Sequence, residues 1–321
     1  MRTELWTVIT MLSPLVLLAA SAGAQEKQLR QLRLNVFRID AATVAARARG
    51  LFAAEGLDVR ITATPNSTEQ MRGISKGTFD IASSAFDNVL AWSGKEGADI
   101  VAIAQVSDRT VLPIFVRPEI RDWSDLKGKK LAVDAVDTAF ALVLRRVLLA
   151  HGLDMNRGDY ALVPVGATGH RLESMTKGET FAAILNAPFD QKALEAGLRR
   201  IGDSKDVLPD YPNTIFAVNQ EWGKKNREIL VAFLRAWLAG MRWVKDPANQ
   251  EEAIKLVGAD LKLNPKAAAG SVNELSTTGS LNLPGLESVL SLRTQFGFKL
   301  LKRNSLASYY DESYYRVATG K

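Results

Sequence analysis

The chain of 321 residues contains no cysteine and only two histidines. Disulfides, thiolate metal sites and thiol nucleophiles are excluded together. Neither His151 nor His170 has a second His or Cys at ligand spacing, so no zinc-type site is legible and no metal or cofactor is expected. His151 falls at the expected end of a helix, where a positive charge is favourable. The chain also lacks a G-x-S-x-G elbow, a P-loop and a dinucleotide-binding glycine fingerprint. The carboxylates of "DAVD" (134–137) are too unspecific to argue glycosidase chemistry. Catalysis needs named groups in reach of one another, and the sequence presents none, so the chain is expected not to be an enzyme.

Charge of one sign is not in large excess: 41 Lys and Arg against 35 Asp and Glu leave +6. The basic residues are scattered, with short clusters such as "KGKK" (127–130), and no basic stripe interleaved with aromatics, so nucleic acid is not an expected partner. Long apolar runs are scarce too. The one at the start, "TVITMLSPLVLLAA" (7–20), is broken by Ser13 and Pro14, and it falls short of the roughly 20 residues needed to span a bilayer. With Arg2 before it and "SAGAQ" after it, residues 1–24 read as a secretory signal peptide cleaved after Ala24. No Cys follows to carry a lipid. Export combined with zero cysteine suits a bacterial periplasmic protein of moderate size, held by its core alone.

What is present is an alternation of strand and helix patterns. "LRLNVFRI" (32–39) alternates as a strand does. "ATVAARARGLFAAEG" has helical spacing and stops at Gly56, "LDVRITAT" is a second strand, and "STEQ" (67–70) fits a capping box opening a helix that runs to Gly77. "FDIA", a helix over 86–93 and "DIVAIAQV" complete one α/β unit. From Trp123 the same grammar restarts and continues to about Tyr211, with Asp137 or Thr138 as the expected cap of "AFALVLRRVLLAHG". Such alternation with short connections implies βαβ units and a mostly parallel sheet in each unit. Beyond "NTIFAVN" the pattern is helical. "REILVAFLRAWLAGMRWVKD" places Ile229, Phe233, Trp237, Leu238 and Met241 on one face. This tail is expected to return to the first lobe, giving a discontinuous lobe 1 (32–113 plus 215–321), a lobe 2 (117–211) and two crossing strands near 110–117 and 211–218. The terminal "SYYDESYYRVATGK" is expected to seal a helix seam or stay mobile.

One phrase occurs twice. "ISKGTFDIASSAFDN" (74–88) and "MTKGETFAAILNAPFDQ" (175–191) both run Lys-Gly, a short apolar stretch and a small-residue turn ending in Phe-Asp, the second being two residues longer between the Gly and the Phe. Together with "ARARGLFAAEGLDVRI", "WSDLKGKKLAV" and "NREILVAFLRAWLAGMRWVKDP", these stretches, in this order, resemble the periplasmic substrate-binding components of ABC importers of the nitrate/sulfonate/taurine and thiamine-precursor group. The resemblance implies a type II periplasmic binding fold: two α/β lobes that close by hinge motion on a small molecule, the repeated phrase serving once per lobe. It implies a monomer that captures a small polar solute and delivers it to an inner-membrane permease; the alternative is a ligand-sensing subunit for a signalling receptor. Two enzymes of similar architecture, the pyrimidine-forming synthases of thiamine biosynthesis and the dipyrromethane-carrying deaminases, depend on cysteines that are missing here.

Ligands of open α/β sheets sit beyond the carboxyl ends of the strands, near helix N-termini. The expected contact turns are therefore 38–43, 66–68, 83–88, 107–110, 134–138, 165–168 and 186–189. From these the candidate ligand-binding residues are Arg38, Asp40, Thr43, Asn66, Ser67, Ser83, Ser84, Phe86, Asp87, Arg109, Asp134, Asp137, Thr138, Asn186 and Phe189. Ser67, Thr138 and Thr168 serve equally well as helix caps. Ser83, Ser84, Thr138 and the helix starts suit an anion such as a sulfonate, helped by Arg38 or Arg109. Against this, Asp40, Asp87, Asp134, Asp137 and Asp190 in or beside the same turns would repel one. The balance of acidic residues tilts the expectation towards an amine, amidine or aminopyrimidine.

Overall fold

The computed structural model describes residues 28–108, 111–209, 211–212, 214–301 and 305–321. The expected signal peptide (1–24) and Arg109 lie outside the described residues. Among the described residues ten strands form two five-stranded sheets. The strands are β1 (Arg30–Val36), β2 (Leu57–Ala63), β3 (Ile81–Ala85), β4 (Ile100–Gln105), β5 (Pro113–Val116), β6 (Lys129–Val133), β7 (Tyr160–Pro164), β8 (Ala182–Ile184), β9 (Arg199–Asp203) and β10 (Thr214–Asn219). The helices are α1 (Ala41–Ala48), α2 (Leu51–Ala54), α3 (Ser67–Ser75), α4 (Phe86–Trp92), α5 (Ala139–Ala150), α6 (Thr168–Thr176), α7 (Phe189–Glu195), α8 (Gln220–Lys225), α9 (Arg227–Lys245), α10 (Gln250–Leu261), α11 (Pro265–Asn273), α12 (Leu283–Gln295) and α13 (Ser313–Thr319). Among the described residues no helix is long and apolar enough to cross a membrane.

The first sheet has the order β2-β1-β3-β10-β4 and the second β7-β6-β8-β5-β9. In each, one strand runs antiparallel to its neighbours: β10 against β3 and β4, β5 against β8 and β9. These are the two strands that begin immediately after the chain passes from one sheet to the other. Each inserts into the sheet it enters, so the two halves share one topology and are bridged twice. The sheets are mixed, four strands one way and one the other, because inserting a returning strand reverses its direction.

The repeated phrase falls on equivalent elements: the end of α3, β3 and the start of α4 in one half, and the end of α6, β8 and the start of α7 in the other. Lys76 and Lys177 are the respective C-caps, followed by Gly77 (φ 72°) and Gly178 (φ 80°) in the left-handed region that glycine tolerates. Thr78 N donates to Gly73 O at 2.8 Å and Glu179 N to Ser174 O at 2.9 Å, the long closing bond of a Schellman turn in both copies. The cap at the other end of α3 is Asn66, whose side chain accepts from Glu69 N at 2.7 Å, rather than Ser67.

The helical tail packs mainly on the first sheet's helices. Phe233 on α9 stacks on Phe52 (5.6 Å between centroids), and Phe216 of β10 meets Phe233 and Trp237 edge-on at 5.1 and 5.2 Å. Phe233, Trp237, Leu238 and Met241 are buried, and Ile229 is half-buried at the margin of this cluster. Gly240 lets α9 approach α1: a Cβ there would stand 2.5 Å from Ala42 O. Tyr309, Tyr314 and Tyr315 are buried, and Tyr315 Oη donates to Thr278 O at 2.8 Å, so the aromatic terminus seals a seam. Helix α12 departs from the rest of the tail, packing against α4 of one half and α5 of the other.

Candidate functional site

Where the carboxyl ends of the two sets of parallel strands face each other, the chain forms a partly open cavity of about 110 Å³. The turns after β1 and β4, the end of β3 and the start of β10 supply Phe37, Arg38, Ile39, Asp40, Ser83, Ser84, Val106, Ser107 and Thr214. Asn88 on α4 adds an amide. The second half supplies Asp134 after β6, Thr138 to Phe140 at the start of α5, Thr168 and Arg171 on α6 and Asn186 after β8. The tail closes the remaining side with Ser271, Glu274 and Leu275.

The halves are drawn together beside the cavity. Ser67 N donates to both oxygens of Asp134 (3.2 and 3.1 Å), Ser67 Oγ lies 3.3 Å from Thr138 Oγ1, and Ala167 N donates to Pro65 O at 3.0 Å. Behind them Asp87 on α4 accepts from Ala139 N, the first residue of α5, at 2.5 Å. Ala139 takes φ 35°, a conformation costing on the order of 1–3 kcal/mol for a residue other than glycine, and this bond helps hold it. Arg293 on α12 completes the junction, donating to Asp87 Oδ2 at 3.2 Å and to Asp137 O at 2.7 Å. Burial pushes the Asp87 carboxyl up, against the downward pull of the Arg293 charge and the Ala139 N–H.

Of the fifteen candidates read from the sequence, Arg38, Asp40, Ser83, Ser84, Asp134, Thr138 and Asn186 line the cavity. Seven do not. Thr43 and Asn66 serve helix starts: Thr43 bonds Asp40 and Asn66 caps α3. Ser67 bridges to Asp134, and Phe86 belongs to the apolar core. Asp87 is buried against Arg293. Asp137 pairs with Lys95 at 3.9 Å. Phe189 packs over the Cα of Gly169 and beside Lys192. Asp190 also lies outside the lining and bonds the neighbouring Gln191 N. A turn position alone does not say which way a side chain leaves the backbone, so half of a turn faces the cavity and half caps, bridges or packs.

Asn88 lies in the expected contact turn 83–88 although it was not among the candidates, and the sequence reading missed Phe140, Arg171, Ser271, Glu274 and Leu275. Arg171 sits three residues after Thr168 on α6, which a helical period places on the same face, so its signal was available. Ser271 and Glu274 lie more than 200 residues from Arg38, with which both bond, and nothing local announces them. Arg171 is buried, and its loss of solvent lowers its pKa to about 10, with a smaller opposing pull from Asp134.

The family model described as NMT1/THI5 like matches residues 40–253, more than half of the chain. The chain belongs to the NMT1/THI5-like family. A curated relative, the formylaminopyrimidine-binding protein of Halalkalibacterium halodurans, is 25% identical over 215 residues, covering 65% of this chain and 62% of that one. Among solved structures, the alkanesulfonate-binding protein SsuA from Xanthomonas axonopodis pv. citri, bound to MOPS, superposes with a TM-score of 0.71 at 16% identity, covering 87% of this chain and 98% of that one. The periplasmic nitrate-binding protein NrtA of Synechocystis PCC 6803 gives a TM-score of 0.75 at 14% identity, covering 91% and 89%. These likenesses establish the fold, the two-lobed type II periplasmic binding protein fold, with an α/β sheet in each lobe and two hinge crossovers.

Proposed function

We propose that this NMT1/THI5-like protein is the extracytoplasmic solute-binding component of an ABC importer, capturing a small polar molecule between two lobes, 32–113 with 215–321 and 117–211. The observation that carries the reading is the cavity itself, since polar side chains from both sheets and the tail converge on one partly open cavity at the strands' carboxyl ends. A solute touched by both halves favours the shut arrangement, and only that difference in affinity can move the hinge. The names of the relatives, binding proteins for a formylaminopyrimidine, alkanesulfonates and nitrate, support capture over conversion. Ser83, Ser84, Thr138 and Asn186 then serve as ligand contacts. The protein works as a periplasmic monomer after cleavage near Ala24 and hands its cargo to an inner-membrane permease. No observation favours the sensing-subunit alternative.

The test is to equilibrate the purified mature chain with a small-molecule extract and follow it by thermal shift and small-angle scattering. A captured solute present at about 100 times its dissociation constant adds roughly 2.7 kcal/mol of stability, with a smaller radius of gyration. A chain that shows neither change with any fraction is not a solute-binding protein.

A further inference from the structure

Among the described residues five charged side chains line the cavity: Arg38, Asp40, Asp134, Arg171 and Glu274. Four are engaged. Arg38 bonds Glu274 and donates to Ser271 Oγ at 3.1 Å, so that pair of charges cancels. Asp40 accepts from Thr43 N (2.9 Å), Thr43 Oγ1 (2.6 Å) and Trp237 Nε1 (3.0 Å), at the start of α1. Asp134 accepts from Ser67 N in the first turn of α3, where the helix dipole also favours a negative group. The acidic residues that argued from sequence for a cationic ligand are thus either outside the lining or already compensated.

Arg171 is different. It is 3% exposed, and among the described residues no carboxylate oxygen lies within the 4.0 Å of an ion pair. One terminal nitrogen donates to Thr168 Oγ1 at 2.6 Å, while the buried Nε has no partner. A guanidinium taken out of water without an anion is a costly arrangement, and an arriving anion would relieve it. From the other half, Asn88 is 2% exposed; its Nδ2 donates to Ser84 Oγ at 3.0 Å and its Oδ1 has no partner. Arg171 from one half and Asn88 from the other thus both line the cavity, each with one buried polar atom that lacks a partner. Between them, Phe37, Ile39, Phe140 and Leu275 give the cavity apolar wall, which suits an organic molecule better than an inorganic ion.

We propose that the cavity takes a small organic carboxylate, its anionic group on Arg171 and a hydroxyl or N–H of the same molecule donating to Asn88 Oδ1. The planar guanidinium fork meets both oxygens of a carboxylate through two parallel bonds, whereas a sulfonate presents a third oxygen that this one fork leaves unmet. This inference rests on the solute-binding reading and specifies its ligand.

The test uses defined probes at millimolar concentration against the mature chain: para-hydroxybenzoate and lactate, their parents benzoate and propanoate, and isethionate, an aminopyrimidine and ethanolamine. One or both hydroxy acids should raise the melting temperature and bind more tightly than the parent acid, with the other three giving less. Arg171→Met should weaken the hydroxy acid by roughly 10- to 100-fold, the loss of a hydrogen-bonded charge, with Arg171→Lys in between. Because Arg171 has a hydrogen bond to Thr168 but no ion-pair partner among the described residues, Arg171→Met should melt no lower than the parent without ligand, an outcome a role in holding the fold by charge would not give. Asn88→Leu should remove the advantage of the hydroxy acids over their parents. The proposal is overturned if isethionate, the aminopyrimidine or ethanolamine stabilises best, if no carboxylate shifts the melting temperature, or if Arg171→Met binds carboxylates unchanged. In each of those cases the extract experiment still decides separately whether a solute is captured.

Discussion

Replacing Asp87 by alanine tests the junction behind the cavity. Asp87 and Arg293 have side chains 1% and 4% exposed, and their contact joins α4 to α12 while Asp87 Oδ2 also receives Ala139 N. Removing the carboxylate leaves a buried guanidinium whose hydrogen-bond acceptor, among the described residues, is Asp137 O alone, and strips the start of α5 of its acceptor. Breaking one side of a buried pair costs about 3–5 kcal/mol, most of it from the charge left behind. The double variant Asp87→Ala with Arg293→Met removes that stranded charge and should recover more than half of the loss, and Asp87→Asn should fall between. Urea unfolding of the parent, the single variants Asp87→Ala and Arg293→Met and the double variant, followed by circular dichroism, gives the double-mutant cycle directly. The reasoning fails if Asp87→Ala costs less than about 1 kcal/mol, or if the double variant is no more stable than the single one, since either result means the buried charge was not the dominant contribution.

Three other outcomes follow from contacts elsewhere. Gly240→Ala places a Cβ 2.5 Å from Ala42 O and 3.0 Å from Ala46 N, so α9 must shift off α1, with a loss of about 1–3 kcal/mol measurable by thermal unfolding. Asp40→Ala removes the cap of α1 and the acceptor for Trp237 Nε1, an effect of about 1–2 kcal/mol in denaturant titration, with a change in the tryptophan emission. Burial raises the Tyr160 phenol from 10.0 to about 12 and pushes that of Tyr211 well up as well. Between those values the unfolded chain loses protons that the folded chain retains, so stability should fall as pH climbs from 10 to 12; an ultraviolet titration in which every tyrosine ionises near its ordinary value would contradict this.

Much of the architecture was legible in the residues. Alternating strand and helix patterns, the Lys-Gly helix ends at 76–77 and 177–178, and the amphipathic run from Arg227 implied two similar α/β halves and a helical tail, because each is a local signal with a fixed period or a fixed backbone requirement. The strand direction of β5 and β10 was not legible, since a period of two is the same read either way. Nor was the bridging position of α12, whose two contacts lie on elements remote in sequence.

The candidate site divides along the same line. By itself the sequence determined that polar turns would gather at the carboxyl ends of two sheets, and that any chemistry there would proceed without thiols. Only the tertiary structure decided that Asp40 and Glu274 are spoken for, that Asp87 turns inward to Arg293 while its helix neighbour Asn88 faces the cavity, and that Arg171 is left without an anion. Those outcomes depend on the direction of each side chain and on partners brought close by the fold across more than a hundred residues, and neither quantity is written in a single stretch of chain.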